Sequence, residues 1–81
     1  MVNVQYNKQF GALVKQALNG MSLREAAQRC GVSHTAIADM VNGKIPRVET
    51  LGRIIRGLGL TEDNELFIQL FYEAGYVLKS E

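Results

Sequence analysis

Between two segments with helical spacing of apolar residues lies Gly31-Val32-Ser33-His34-Thr35-Ala36, followed within a turn by Ala38 and Asp39. Apart from Val32, the hexapeptide offers a hydrophobic core almost nothing. It offers hydrogen-bonding groups instead: hydroxyls that donate and accept, an imidazole, and, in Asp39, a carboxylate that accepts. Such side chains can hydrogen-bond the edges of nucleobases, and the methyls of Thr35 and Ala36 can touch thymine. Other chemistries are poorly served. His34 is the only histidine and Cys30 the only cysteine, so an internal disulfide is impossible and neither a metal ion nor a cofactor is expected. Cys30 closes an apolar stripe and reads as a small core residue. The chain has no glycine-rich phosphate loop, paired catalytic carboxylates or nucleophile–base set, and no enzyme is expected.

The elements that must position these residues are short helices punctuated by glycine. Phe10, Leu13, Val14, Ala17 and Leu18 form the stripe of a first amphipathic helix that stops near Asn19-Gly20. Ser22-Leu23-Arg24-Glu25 matches the capping box, in which hydroxyl and carboxylate each satisfy an orphan backbone N–H, and it starts a second helix that ends at Gly31. Ser33 is a good N-cap for a third helix, buried through Ile37, Met40 and Val41 and ended by Asn42-Gly43. Pro46 fixes the turn into a fourth, with Val48, Leu51, Ile54, Ile55 and Leu58 on one side. Thr61 is expected to cap a fifth that runs to about residue 76, with Glu62, Asp63 and Glu65 at its positive end. No segment alternates with period two for long enough to make a strand, so the fold is expected to be all-α: five helices in a single domain, residues 1–81.

Composition agrees. Eighty-one residues, 47% apolar and 21% charged, suit one compact soluble domain with a modest core. The net charge of +1 hides an asymmetry: residues 1–56 hold eight Lys/Arg against three Asp/Glu, and residues 57–81 hold one against five. A basic half of this kind suits a polyanion, although two ordinarily solvated faces would give the same count. The amino-terminal MVNVQYNKQF lacks the plan of a signal peptide and no apolar run could span a bilayer, so a cytoplasmic protein without membrane association is expected.

Two short helices joined through a glycine turn, the second opening on small polar residues, make a helix-turn-helix over about residues 22–43, whose second helix can enter the major groove of DNA. The stretch "MSLREAAQRCGVSHTAIADMVNGKIPRVETLGRIIRGLGL", residues 21–60, resembles the Cro/phage-repressor (XRE-type) domain. The likeness is carried by Ala27 at a close-packing position, Gly31 in the turn, Val32 after it, Ile37 in the recognition helix, and Asn42-Gly43 with a following Pro46. The first helix and "FYEAGY" at 71–76 also fit the pattern. The resemblance implies a compact five-helix lambda-repressor-like fold, base-edge contacts by Ser33, His34, Thr35, Ala38 and Asp39, and phosphate contacts by Arg24, Asn42 and Lys44. Departures exist: Leu23 stands where many relatives have Gln, and Arg47 stands where a Ser or Thr often caps the fourth helix, so Arg47 is expected to reach a phosphate instead.

The last helix carries apolar residues on two sides. Leu66, Phe67, Leu70, Phe71 and Ala74 make a core stripe, while Ile68, Tyr72 and Tyr76 repeat at i, i+4 and i+8. A homodimer held by Ile68, Phe71, Tyr72 and Tyr76 is expected, which would set two recognition helices on half-sites about 34 Å apart. The first helix with Val2, Val4 and Tyr6 could instead cover that face within one chain. The expected function is a sequence-specific double-stranded-DNA-binding transcriptional regulator, a repressor of bacterial or phage origin acting by occupancy of an operator. Two other readings stay open: an antitoxin that represses its own promoter and binds a toxin partner, and a helical protein-interaction module that kept the fold and lost DNA binding. The cluster of Arg24, Lys44 and Arg47 favours DNA, because a converted module has no use for it.

Overall fold

The computed structural model describes residues 6–76, folded as α1 (Lys8–Leu18), α2 (Leu23–Cys30), α3 (His34–Val41), α4 (Val48–Gly57) and α5 (Glu65–Glu73). Among the described residues the only extended pairing is an isolated antiparallel bridge between Tyr6 and Lys44. The all-α expectation holds.

Each helix but α4 begins where a side chain can satisfy backbone donors that the helix itself leaves unpaired. Asn7 opens α1, its Oδ1 accepting from the N–H groups of Gln9 and Phe10 at 2.8 and 3.2 Å. Ser22 Oγ accepts from Glu25 N–H at 3.1 Å and Ser33 Oγ from Ala36 N–H at 3.2 Å, as their spacing predicts. Of the capping box only this serine half is formed among the described residues; the carboxylate of Glu25 stays exposed. Gly31 ends α2 at φ +70°, the left-handed geometry expected of it.

α5 starts later than its sequence suggests. Asn64, not Thr61, is the cap, with Oδ1 accepting from Leu66 N–H at 2.8 Å. Thr61 instead begins a turn whose carbonyl accepts from Asn64 N–H at 2.9 Å, and Glu62 is drawn to Arg56, 3.2 Å away. Both residues are competent caps; burial of Phe67 and Leu70 selects the later one. α5 also ends earlier, at Glu73, before a glycine turn.

The core gathers Phe10, Val14, Ala17 and Leu18 of α1, Ala26, Ala27 and Cys30 of α2, Ile37 and Met40 of α3, Leu51, Ile54 and Ile55 of α4, and Phe67, Leu70 and Phe71 of α5 with Ala74 just after it. No charged or polar side chain is buried with them among the described residues. α1 packs on α3 and α5, and α2 on α3 and α4. Cys30 lies between α2 and α4, its thiol donating to Ile54 O at 3.2 Å; burial pushes that thiol's pKa up, against a smaller lowering by Arg29. Val48 departs from its predicted stripe. It is 42% exposed, because α4 turns towards the core only from Leu51 onwards.

α1 and the end of α3 approach closely enough to need glycine. A Cβ at Gly11 would stand 2.5 Å from Val41 O and 3.0 Å from Gly43 N. The absence of a side chain there lets α1 buttress the loop that leaves α3, the loop on which Lys44 and Arg47 are carried.

Candidate nucleic-acid interface

α3 is divided by burial. Ile37 and Met40 are in the core, Ala36, Ala38, Asp39 and Val41 are half-buried, and Ser33, His34 and Thr35 at its amino-terminal end are exposed. The end composed of small polar residues is therefore the end open to solvent. Ser33 Oγ already accepts from Ala36 N–H, which leaves its O–H to donate outward. His34 and Ala38 share one side at i, i+4, with Asn42 a turn further on; Thr35 and Asp39 share the adjoining one. With the apolar side of α3 held by α1 and α2, the outward side carries donors, acceptors and methyls at slender positions. This shape fits a groove better than a protein core.

The residues expected at phosphates lie at element ends. Arg24 is exposed in the first turn of α2, Asn42 is exposed just after α3, Lys44 is half-buried in the α3–α4 loop, and Arg47 is exposed at the start of α4. Arg47 makes no side-chain cap, which leaves its guanidinium uncommitted to the helix and the first N–H groups of α4 without a side-chain acceptor.

Asp39 and Lys44 are brought together. Asp39 Oδ2 lies 3.8 Å from Lys44 Nζ, both side chains about two-fifths exposed, and the Asp39 carbonyl accepts from Lys44 N–H at 2.9 Å. Both residues line a cleft of about 180 Å³ between α3 and α4, with Ala36, Met40, Pro46, Thr50 and Ile54 as its other walls. Nothing in the sequence marks Thr50 for this cleft; the i, i+3 apolar spacing of α4 says nothing of its polar edge.

Two residues expected at a dimer interface are otherwise employed. Phe71 is a core residue, 5% exposed, stacked on Phe67 with ring centroids 5.0 Å apart. Tyr76 is half-buried, its ring edge-on to Phe71 and its hydroxyl donating to Pro46 O at 2.6 Å. The reason is local: the glycine turn after α5 breaks the i, i+4, i+8 register, so Tyr76 does not share a face with the other two. Ile68 and Tyr72 remain outside, 48% and 75% exposed, and so does Tyr6 at 65%. Val2 and Val4 lie outside the described residues.

Comparison with known proteins agrees with the fold. A family model described as Helix-turn-helix matches residues 14–64, which takes in α1 from Val14, the whole of α2, α3 and α4, and the turn leading to α5. The chain belongs to the XRE-type helix-turn-helix family, a family of DNA-binding regulators. No curated protein matches the chain significantly, and no solved structure does so. No helix among the described residues is long and apolar enough to cross a membrane.

Proposed function

We propose that the protein is a transcriptional repressor, of the bacterial or phage type, that reads a specific double-stranded operator with the amino-terminal end of α3. The observation that carries this reading is the division of α3: Ser33, His34 and Thr35 stand exposed at the end of a helix whose other side is fixed in the core by Ile37 and Met40. Ser33, His34, Thr35 and Ala38 face base edges. Arg24, Asn42, Lys44 and Arg47 take phosphates on either side and set the register. Asp39, which the family resemblance puts at a base edge, acts as the counter-ion of Lys44, a role that their 3.8 Å separation supports.

The active species is a homodimer. Ile68 and Tyr72 sit one turn apart on α5 and are the apolar pair that α5 leaves uncovered; a second copy of α5 is the occupant in this reading. A two-fold dimer presents two recognition helices to a palindromic site.

Selection of bound duplexes from a random pool tests the proposal. A palindromic consensus with half-sites about 10 base pairs apart is expected. On that operator, Thr35→Ala and His34→Ala change which bases are preferred, whereas Lys44→Ala weakens all duplexes and lowers the salt slope by about 0.9 for each phosphate left without its cation. If all three substitutions acted alike on every sequence, base readout by α3 would be refuted.

A further inference from the structure

The loop between α3 and α4 carries Lys44 and Arg47, yet it contains Pro46, which has no N–H with which to fasten itself. Lys44 N–H ties the start of the loop to Asp39 O at 2.9 Å, and its other fastenings come from elsewhere in the chain. At its start, Gly43 O accepts from Asn7 N–H at 2.8 Å, and Tyr6 bridges to Lys44. At its end, Pro46 O accepts from the Tyr76 hydroxyl at 2.6 Å, across 30 residues.

Tyr76 is itself fixed. After α5 the chain closes with Gly75 N–H donating to Tyr72 O at 3.0 Å and Tyr76 N–H to Phe71 O at 2.9 Å, a pair of bonds that requires a left-handed residue between them. Gly75 supplies it at φ +88°. The turn reverses the chain, brings the Tyr76 ring edge-on to Phe71 at 6.5 Å, and aims its hydroxyl at the loop. Asn7 ties the same region from the other side, its Nδ2 donating to Glu73 O at 3.1 Å and, at 3.3 Å, to Glu73 Oε1. One end of α5 therefore holds the loop directly through Tyr76 and indirectly through Asn7.

We propose that Tyr76 is a positioning residue for DNA binding: its hydroxyl, presented by the Gly75 turn, holds the Lys44–Arg47 loop in the placement that meets phosphates. This rests on the DNA-binding reading above. It assigns the end of α5 a task apart from the core and apart from Ile68 and Tyr72. The hydroxyl carries no sequence information, so its loss acts equally on all duplexes.

Tyr76→Phe removes the oxygen and keeps the ring. The most that the missing bond can withdraw from binding is its own net worth, so affinity should fall between about twofold and tenfold. Affinities are measured for the wild type, Tyr76→Phe, Lys44→Ala and the double variant, each on the selected operator and on an unrelated duplex, with thermal melts alongside. The expected result is the same factor on both duplexes for Tyr76→Phe, and a smaller factor when Lys44 is already alanine. Asn7→Ser, which keeps a capping oxygen for α1 but is too short to reach Glu73 and adds no charge, should give a loss of the same kind and serves if Tyr76→Phe folds poorly. Wild-type affinity in Tyr76→Phe overturns the proposal while DNA binding stands, and so does an undiminished factor in the Lys44→Ala background. A wild type that binds neither duplex overturns the DNA-binding reading, and this proposal with it.

Discussion

Asp39→Asn should tighten binding to DNA. The carboxylate lies 3.8 Å from Lys44 Nζ, at a site where each side chain is about two-fifths exposed. At that separation two unit charges in water-like surroundings attract by about 1 kcal/mol, and exposed pairs measured in proteins fall at or below that figure. In the free protein the carboxylate neutralises part of the charge that Lys44 can offer, and beside a phosphate it repels. The amide has neither effect and nearly the same shape. Removing a competitor worth about 1 kcal/mol strengthens binding by up to about fivefold per subunit, on operator and unrelated duplexes alike. The gain should shrink as salt rises, because screening weakens both the ion pair and the phosphate contact. Fluorescence anisotropy on two duplexes at low and high salt reads all four quantities. If Asp39→Asn instead weakens binding, or changes preference at a single base pair and leaves the unrelated duplex untouched, Asp39 reads a base as the family resemblance implies, and the counter-ion argument is wrong.

Gly11→Ala drives a methyl against backbone 2.5 Å away at Val41 O, and should cost about 1–2 kcal/mol net of the helix propensity gained, lowering the melting temperature by several degrees; an unchanged melt would contradict the close approach of α1 to the end of α3. Ile68→Glu with Tyr72→Glu should convert a dimer to a monomer in sedimentation while leaving the melt of the monomer almost unaltered, since both side chains are exposed; a dimer that survives both charges has its interface elsewhere. Burial raises the Cys30 pKa, so the folded thiol should react with iodoacetamide at mildly alkaline pH far more slowly than the unfolded chain does. The same shift means that Cys30's contribution to stability is complete below the unfolded thiol pKa of about 8.5 and is lost as pH rises through the higher folded value, which denaturant melts at a series of alkaline pH values would reveal; equal labelling of folded and unfolded protein would contradict the burial.

The parts of this fold that are legible in the sequence are those whose cause is local. Ser22 and Ser33 each cap a donor three residues ahead, and Gly31 ends α2 within the same turn, so residue type and spacing suffice to find them. The candidate recognition surface is legible for a related reason: small polar side chains at the start of a helix are conspicuous where a core would want bulk. Where two local solutions compete, the sequence does not choose. Thr61 and Asn64 both qualify as caps, and the register of Phe67 and Leu70 in the core decides for Asn64. The long-range ties are invisible in it. Nothing near Tyr76 indicates that its hydroxyl meets Pro46, and nothing near Asn7 indicates Glu73, 66 residues away. Tyr76 would join the face of Ile68 and Tyr72 only if the helix continued past Gly75.

The junction at Asn7 bears on the order in which the molecule assembles and comes apart. α2, the Gly31 turn and α3 are near neighbours along the chain and meet after closing only small loops, whereas Asn7 and Glu73 must close nearly the whole described length. The helix-turn-helix can thus organise early from local contacts, and the seam between the start of α1 and the end of α5 should be completed late. Among the hydrogen-bonded amides, exchange should accordingly be fastest along that seam, and its transient parting should, on the proposal made above for Tyr76, weaken the hold on a polyanion before the fold is lost.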